Sequence, residues 1–206
     1  PVDTSERVIS ISKSHSKNLI AAGTSTGNVI LFRVLFNTVY SGEDSREIIP
    51  KLNFISKIKI DSLGLPINKV VFRKNSDDEF TIISLINNSR IIQYTYEKSK
   101  SLLSDGTETI YFNDITSLYS GKVSAIELDD FCEKLMIGTE DGWLYYISVK
   151  EKNTPQLIQK LNVTPTGHSA ITSLGFMIGD QSLIVGDADG KVSSWMRVLD
   201  SETDYG

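Results

Sequence analysis

One frame recurs four times in this chain. In residues 186–195, Gly-Asp-Ala-Asp-Gly-Lys-Val-Ser-Ser-Trp, an apolar run ends on a glycine, a second glycine follows four positions on, and a large hydrophobe stands nine positions after the first. Gly138 and Gly142 repeat the frame with Ile147 as the hydrophobe, and Gly23 and Gly27 repeat it with Phe32. A degenerate copy has Leu85, Ser89 and Tyr94 in the same places. Fifteen residues before the four anchors stand Val8, Val70, Val123 and Ile171, and six residues after them Val29, Ile91, Leu144 and Val192. The anchors are 62, 53 and 48 residues apart, a spacing that reads as stacked copies of one supersecondary unit separated by loops of unequal length.

Within each unit the local pattern is that of strands. Residues 8–12, 18–22 and 28–34 are short runs, alternating or apolar and rich in β-branched residues, and residues 51–60 alternate apart from one slip at Ile55 and Ser56. Residues 41–46 are polar and read as a turn. The second unit places strands at 69–73, 80–85, 90–96 and 109–115, with Asn87-Asn88 supplying the positive φ of a tight hairpin where glycine is missing. The third uses 123–128, 134–137, 143–149 and 156–163. The fourth has 171–177, 182–185 and 191–198, then only a polar tail.

No stretch keeps helical periodicity long enough to demand a helix. The expected fold is therefore all-β and β-propeller-like, about four blades of four antiparallel strands, in one domain over residues 1–206 with units at about 7–61, 69–116, 122–164 and 170–199. Because the fourth unit lacks its last strand, the expectation is an incomplete propeller with exposed end faces or edge contacts between molecules. A chain that opens at Pro1 also reads as a piece of something longer.

Composition narrows the function classes. A net charge of −5 without a local Lys/Arg cluster argues against nucleic acid as a partner. No apolar run is long enough to cross a bilayer. The single cysteine, Cys132, permits no internal disulfide and reads as a half-buried thiol, while His15 and His168 stand in different units and assemble neither a metal cage nor a nucleophile–base pair. The glycine spacing at 186–190 does not fit a phosphate-cradling loop, and Asp187 and Asp189 do not fit a calcium loop. The carboxylate pairs Asp129-Asp130 and Glu140-Asp141 read as solvated turn residues. No catalytic residue, cofactor site or metal site is expected, and the reading is that the chain is not an enzyme.

Gly167, His168, Gly186, Asp189, Gly190 and Trp195 are the structural motif of the fourth unit. A Gly-His pair ahead of the first strand, an Asp in the hairpin turn and a Trp on the third strand resemble the signature of WD repeats. That resemblance implies a buried His bonded to the turn Asp with the indole covering both. Val185 and Met196 depart from it, standing where the family usually has Ser and Asp.

Residues 171–176 and 179–198 also resemble one narrower group, the propeller-like insertion in enlarged permease subunits of bacterial phosphate ABC transporters, where a similar leading strand precedes a Gly-Asp-x-x-Gly-x-Val-Ser-x-Trp segment. Residues 134–143 resemble the preceding unit of that insertion. The specific match covers about 28 residues. It implies a non-catalytic docking or regulatory platform on the periplasmic side of the bacterial inner membrane, in a membrane-embedded parent, with other transporter subunits or the substrate-binding protein as partners. The repeat frame taken alone implies a soluble WD-type protein-interaction scaffold.

Overall fold

The computed structural model describes residues 6–14, 18–40, 46–74, 76, 78–99, 106–164, 168–177 and 179–196. Each unit folds as a small antiparallel sheet whose strands lie in chain order. The first blade holds β1 (Val8–Lys13), β2 (Leu19–Thr24), β3 (Asn28–Tyr40) and β4 (Arg46–Lys59). The second holds β5 (Ile67–Lys74), β6 (Glu79–Ile86), β7 (Arg90–Lys98) and β8 (Glu108–Asp114), and the third β9 (Val123–Leu128), β10 (Lys134–Thr139), β11 (Trp143–Ser148) and β12 (Gln156–Asn162). The fourth has β13 (Ile171–Phe176), β14 (Ser182–Asp187) and β15 (Val192–Met196). One short 3-10 turn, Thr116–Leu118, is the only helix among the described residues. The result is a four-bladed β-propeller arrangement, as the repeat frame implies.

The first strands line the axis: β1 packs beside β5, β5 beside β9, and β9 beside β13. Between successive blades lie three apolar clusters. Val29 and Leu31 meet Ile67, Val70 and Phe72 between the first and second blades. Leu85 and Ile91 meet Val123, Ile126 and Leu128 between the second and third, and Leu144 meets Ile171 and Leu183 between the third and fourth. Burial of these faces is the dominant stabilising term, because a four-stranded sheet without a covered face is marginal in water. Between β1 and β13, among the described residues, there is no comparable packing.

Pairing registers confirm the third-strand column. Phe32, Tyr94, Ile147 and Trp195 stand opposite Ile20, Ile82, Leu135 and Leu183, each three residues before its anchor. The first-strand column needs a correction in the second blade. Gly23, Gly138 and Gly186 face Ser10, Ala125 and Ser173, thirteen residues earlier, but Leu85 faces Lys69, sixteen earlier. β5 and β6 run for eight residues each against six in the other blades, with a loop that is no longer, so the paired positions lie three residues further apart along the chain and Ile67, not Val70, is the counterpart of Val8, Val123 and Ile171.

At the hairpin turns, Asn87 and Asn88 adopt φ of 48° and 54°, the paired left-handed geometry of a tight two-residue loop. In the other three blades the residue after the anchor glycine holds the turn. Thr24 Oγ1 accepts from the Asn28 N–H at 3.2 Å, Thr139 Oγ1 from Trp143 at 3.1 Å, and Asp187 Oδ1 from Lys191 at 2.9 Å. A short oxygen-bearing side chain there satisfies a backbone donor that the turn would otherwise leave unmade.

Candidate interaction surface

The first blade departs from the others in its last two strands. β3 and β4 run for 13 and 14 residues, where the sequence pattern placed a turn-rich segment at 41–46; Arg46 in fact begins β4, and residues 41–45 lie outside the described residues. β2 accompanies β3 only from Val29 to Arg33. Beyond it, the seven outermost pairs form a two-stranded ribbon roughly 20 Å long that has no third strand among the described residues. The alternation slip at Ile55 and Ser56 is a β-bulge: Leu31 pairs with Ser56 and Phe32 with Phe54, leaving Ile55 as the extra residue. The bulge turns the ribbon relative to the blade and resets which side chains share a face.

On one ribbon face, Phe32, Val34, Phe36, Thr38 and Tyr40 stand opposite Phe54, Leu52, Pro50, Ile48 and Arg46. Phe32 and Phe54 meet edge to face with centroids 6.4 Å apart. Phe36, Tyr40, Ile48, Leu52 and Phe54 are exposed, Phe54 by 60%. Among the described residues of the two strands none on this face is acidic; Arg46 closes its outer end, and at its inner end Lys57 and Asn28 hold the Glu6 carboxylate beside Lys59. The opposite face is mixed, with Arg33, Lys51, Asn37 and Glu47 between Leu35, Val39 and Ile49. A contiguous exposed apolar face of this kind marks an interaction site. Pro50 lacks the N–H that strand addition along the outer edge of β4 would need, which disfavours pairing of another strand there.

At the root of the ribbon a buried carboxylate ties the blade together. Glu6 accepts from Thr24 Oγ1 at 2.8 Å, Thr26 Oγ1 at 2.6 Å and Asn28 Nδ2 at 2.7 Å, and its second oxygen pairs with Lys57 Nζ at 2.6 Å. Burial works to raise its pKa, but the Lys57 bond and those of Thr26, Asn28 and Thr24 outweigh it and bring the carboxyl down to about 2. The hairpin turn and β4 are thereby locked to the segment that enters β1.

A second polar cluster lies where β5, β9 and β13 end. Arg73 Nη2 donates to Glu127 at 2.5 Å and its Nε lies 3.2 Å from Asp130, beside a cavity of about 460 Å³ that Phe176, Met177 and Asp180 also line. Asp129 is not solvated as its place in a turn suggested. Its Oδ1 accepts from the Glu133 and Lys134 N–H groups at 2.7 and 2.8 Å while Oδ2 is buried without a partner. Burial pushes its carboxyl up to about 6 against those two bonds, with the Asp180 charge adding to the rise. Cys132 is fully buried rather than half-buried, and burial raises its thiol to about 12, which leaves it unreactive. No group of three or more His, Cys, Asp and Glu placed to hold a metal occurs among the described residues.

The motif residues of the fourth blade divide. Gly186 sits on β14 as its anchor, Gly190 has φ of 78° in the turn, and Trp195 on β15 packs half-buried against the cluster shared with the third blade, its Nε1 donating to Ser193 Oγ at 2.9 Å. Gly167 and His15 lie outside the described residues. His168 and Asp189 are both exposed and not bonded to each other, so the buried His–Asp pair implied by the WD resemblance is not formed. Asp187, two residues earlier, takes over the turn, and Val185 offers no group to connect a network. The extended ribbon and Glu6 escaped the sequence reading; the slip at Ile55 was the one trace of the ribbon's geometry.

No family model and no curated protein sequence matches the chain. Solved structures do match its fold. The Cps50 (Swd1) β-propeller domain of Myceliophteria_thermophila superposes with a TM-score of 0.56 at 12% identity, covering 96% of this chain and 55% of that one. Raptor of Chaetomium thermophilum gives 0.60 at 12% identity over 95% and 16%, and Sqt1 of Chaetomium thermophilum gives 0.59 at 15% over 93% and 44%. The chain thus spans about half of the Swd1 domain or less of the other two. At these identities the likeness establishes the β-propeller fold.

Proposed function

We propose that this chain is a protein-interaction platform, a WD-type propeller scaffold whose ribbon of β3 and β4 seats the partner. The observation that carries this reading is the exposed apolar ribbon face of Phe36, Tyr40, Ile48, Leu52 and Phe54, with Arg46 at its outer end and Lys59 at its inner end. A surface of that kind fits a partner segment that offers apolar anchors flanked by acidic side chains. The propeller fold shared with the three matched structures is consistent with such a role. The test is affinity capture after cross-linking with the wild-type chain and a Phe36→Ser/Leu52→Ser/Phe54→Ser variant. A defined partner that is lost with the variant, while circular dichroism shows the blades intact, supports the proposal. An identical captured set overturns it.

A finer reading places this platform on the periplasmic side of the bacterial inner membrane, within a phosphate ABC transporter permease, docking the substrate-binding protein or another subunit. Its support is the residue pattern of 171–198, above all Gly186 to Trp195. Reading the parent gene decides it: permease spans flanking this segment, and altered phosphate uptake when residues 1–206 are deleted in frame, are the expected results. A parent without membrane spans removes the reading and leaves the scaffold one standing.

A further inference from the structure

The outermost strands of the first three blades differ in how their outer edges are guarded. An edge strand presents a row of backbone N–H and C=O groups with which another strand can pair, and proteins blunt such rows with Pro, bulges and Lys. β4 carries Pro50, the bulge at Ile55, and Lys51, Lys57 and Lys59. β12 carries Lys160 and a bulge at Ile158, where Tyr146 pairs with Gln159 but Ile147 with Leu157. β8 carries none of these. Its seven pairs with β7 run without a break in register, and residues 109–113, Thr-Ile-Tyr-Phe-Asn, hold no charge, no Pro and no Gly.

The bonds that flank this ladder fix which groups point outward. At one end the Ser99 N–H donates to the Thr107 carbonyl at 2.9 Å, and at the other the Ile115 N–H donates to the Ile91 carbonyl at 3.1 Å. Antiparallel pairing alternates, so Thr109, Tyr111 and Asn113 bond to β7, while the N–H and C=O groups of Glu108, Ile110, Phe112 and Asp114 point away from it. Among the described residues no strand pairs with that edge. β8 is the outer strand of an interior blade, so blades stacked before the first or after the fourth do not reach it.

The side chains of the same four residues share one face, with a carboxylate at each end and two apolar groups between. Ile110 and Phe112 are 58% and 48% exposed and stand opposite Tyr96 and Tyr94, which stack on Phe80 with centroids 5.2 and 6.1 Å away. An added strand with apolar residues at alternate positions extends this row by cross-strand contact. Glu108 lies 3.9 Å from Lys98 and Asp114 2.7 Å from Arg90, yet their side chains remain 60% and 44% exposed. The other face of β8 meets the third blade, where the Asn113 amide donates to the Lys152 carbonyl at 2.6 Å. A cavity of about 370 Å³ opens beside the Asp114 end, between Ile115 and Leu118 on one side and Asn153, Thr154 and Pro155 on the other.

We propose that β8 is a strand-addition site whose occupant is an extended segment of another protein, with apolar side chains at alternate central positions and a Lys or Arg at each end. Charge disfavours a second copy of this chain. Two β8 strands paired antiparallel over their full length set Glu108 directly against Asp114 at both ends, and like charges placed opposite one another are destabilising. Cations at those two positions make the same contacts attractive and fix the register of the added strand. The site lies on the second blade and does not depend on the partner proposed for the ribbon of the first.

The probe is the synthetic peptide Lys-Thr-Val-Thr-Val-Thr-Lys, acetylated and amidated, titrated into the 206-residue chain and followed by amide hydrogen exchange and by the anisotropy of a dye on the peptide. In the chain alone, the Ile110 and Phe112 amides are expected to exchange fast and those of Tyr111 and Asn113 slowly; with peptide, the first pair becomes protected. Ile110→Pro removes one outward N–H and no bond to β7, and is expected to weaken binding about tenfold, the scale of one lost hydrogen bond with its apolar contact. The peptide Glu-Thr-Val-Thr-Val-Thr-Glu is expected not to bind, and Phe36→Ser on the ribbon to leave binding unchanged. The proposal is overturned if the Ile110 and Phe112 amides are already protected in the chain alone, or become so when the chain is concentrated without peptide. It is equally overturned by no binding at the solubility limit of the peptide, by equal binding of the two peptides, or by an Ile110→Pro chain that binds like wild type. The exchange readout on the unaltered chain keeps the test decisive should that variant fail to fold.

Discussion

The second and third blades cover both of their faces, whereas the first and fourth cover one each, although all four are built on the same frame. Ile67 and Val8 are equivalent in register, yet one is fully buried and the other nearly half exposed. Leu144 and Val192 show the same contrast on the receiving side. Apolar identity in a repeat column therefore specifies a face that is made to be covered, and the neighbouring blade decides whether it is. The polar hardware differs in the same way. The first blade, open on one side, is tied by the buried Glu6 cluster, while the third carries Asp129 with one oxygen buried and unpartnered among the described residues.

The sharpest way to break this comparison is to remove volume from an interior junction. Ile126→Ala, between the second and third blades, is expected to cost about 3 kcal/mol in urea denaturation, since the site is fully enclosed and leaves a cavity. A cost near zero would mean that the interior blades are no better packed than the terminal ones.

Glu6→Ala removes the four bonds that close the first blade and is expected to cost about 2 kcal/mol, the scale of losing hydrogen bonds to a charged group. Acid makes the same point in the native chain. Because the folded-state pKa of Glu6, about 2, lies below its ordinary 4.5, its contribution is present above pH 4.5 and is lost as pH falls toward 2. Asp129 acts with the opposite sign. Its folded pKa of about 6 lies above the ordinary 3.8, so the folded state holds the extra proton between those values, and stability falls as pH rises from about 4 to about 6. Asp129→Asn, which keeps an acceptor for the Glu133 and Lys134 N–H groups, should flatten that fall while leaving the acid limb set by Glu6. Stability curves of the two proteins from pH 2 to 8 separate the two groups.

Thr139→Val leaves the Trp143 N–H without its acceptor in an interior hairpin and is expected to cost about 1 kcal/mol in thermal unfolding. The smallest effect belongs to the terminal face. Ile11→Ala should change stability by no more than about 0.5 kcal/mol, because two thirds of the side chain already faces water. A cost like that of Ile126→Ala would show that something within the chain covers Val8 and Ile11 after all.

The sequence by itself determined the four-fold frame, the strand character of each run and the tight Asn87-Asn88 turn. These are set by side-chain periodicity and by backbone conformations that few residues adopt, both of which are local. Even the bulge at Ile55 was written as a break in alternation. Only the tertiary structure decided that Ile67 rather than Val70 fills the hole at Gly23, because lengthening β5 and β6 together leaves the alternation of each strand intact while moving the position that meets the next blade. It alone separated His168 from Asp189 and gave the turn to Asp187, since a hydrogen bond depends on placement to within a fraction of an ångström and not on residue type. It alone extended β3 and β4 into an exposed ribbon and enclosed Asp129, because whether an apolar or charged side chain meets water depends on what other segments bring against it.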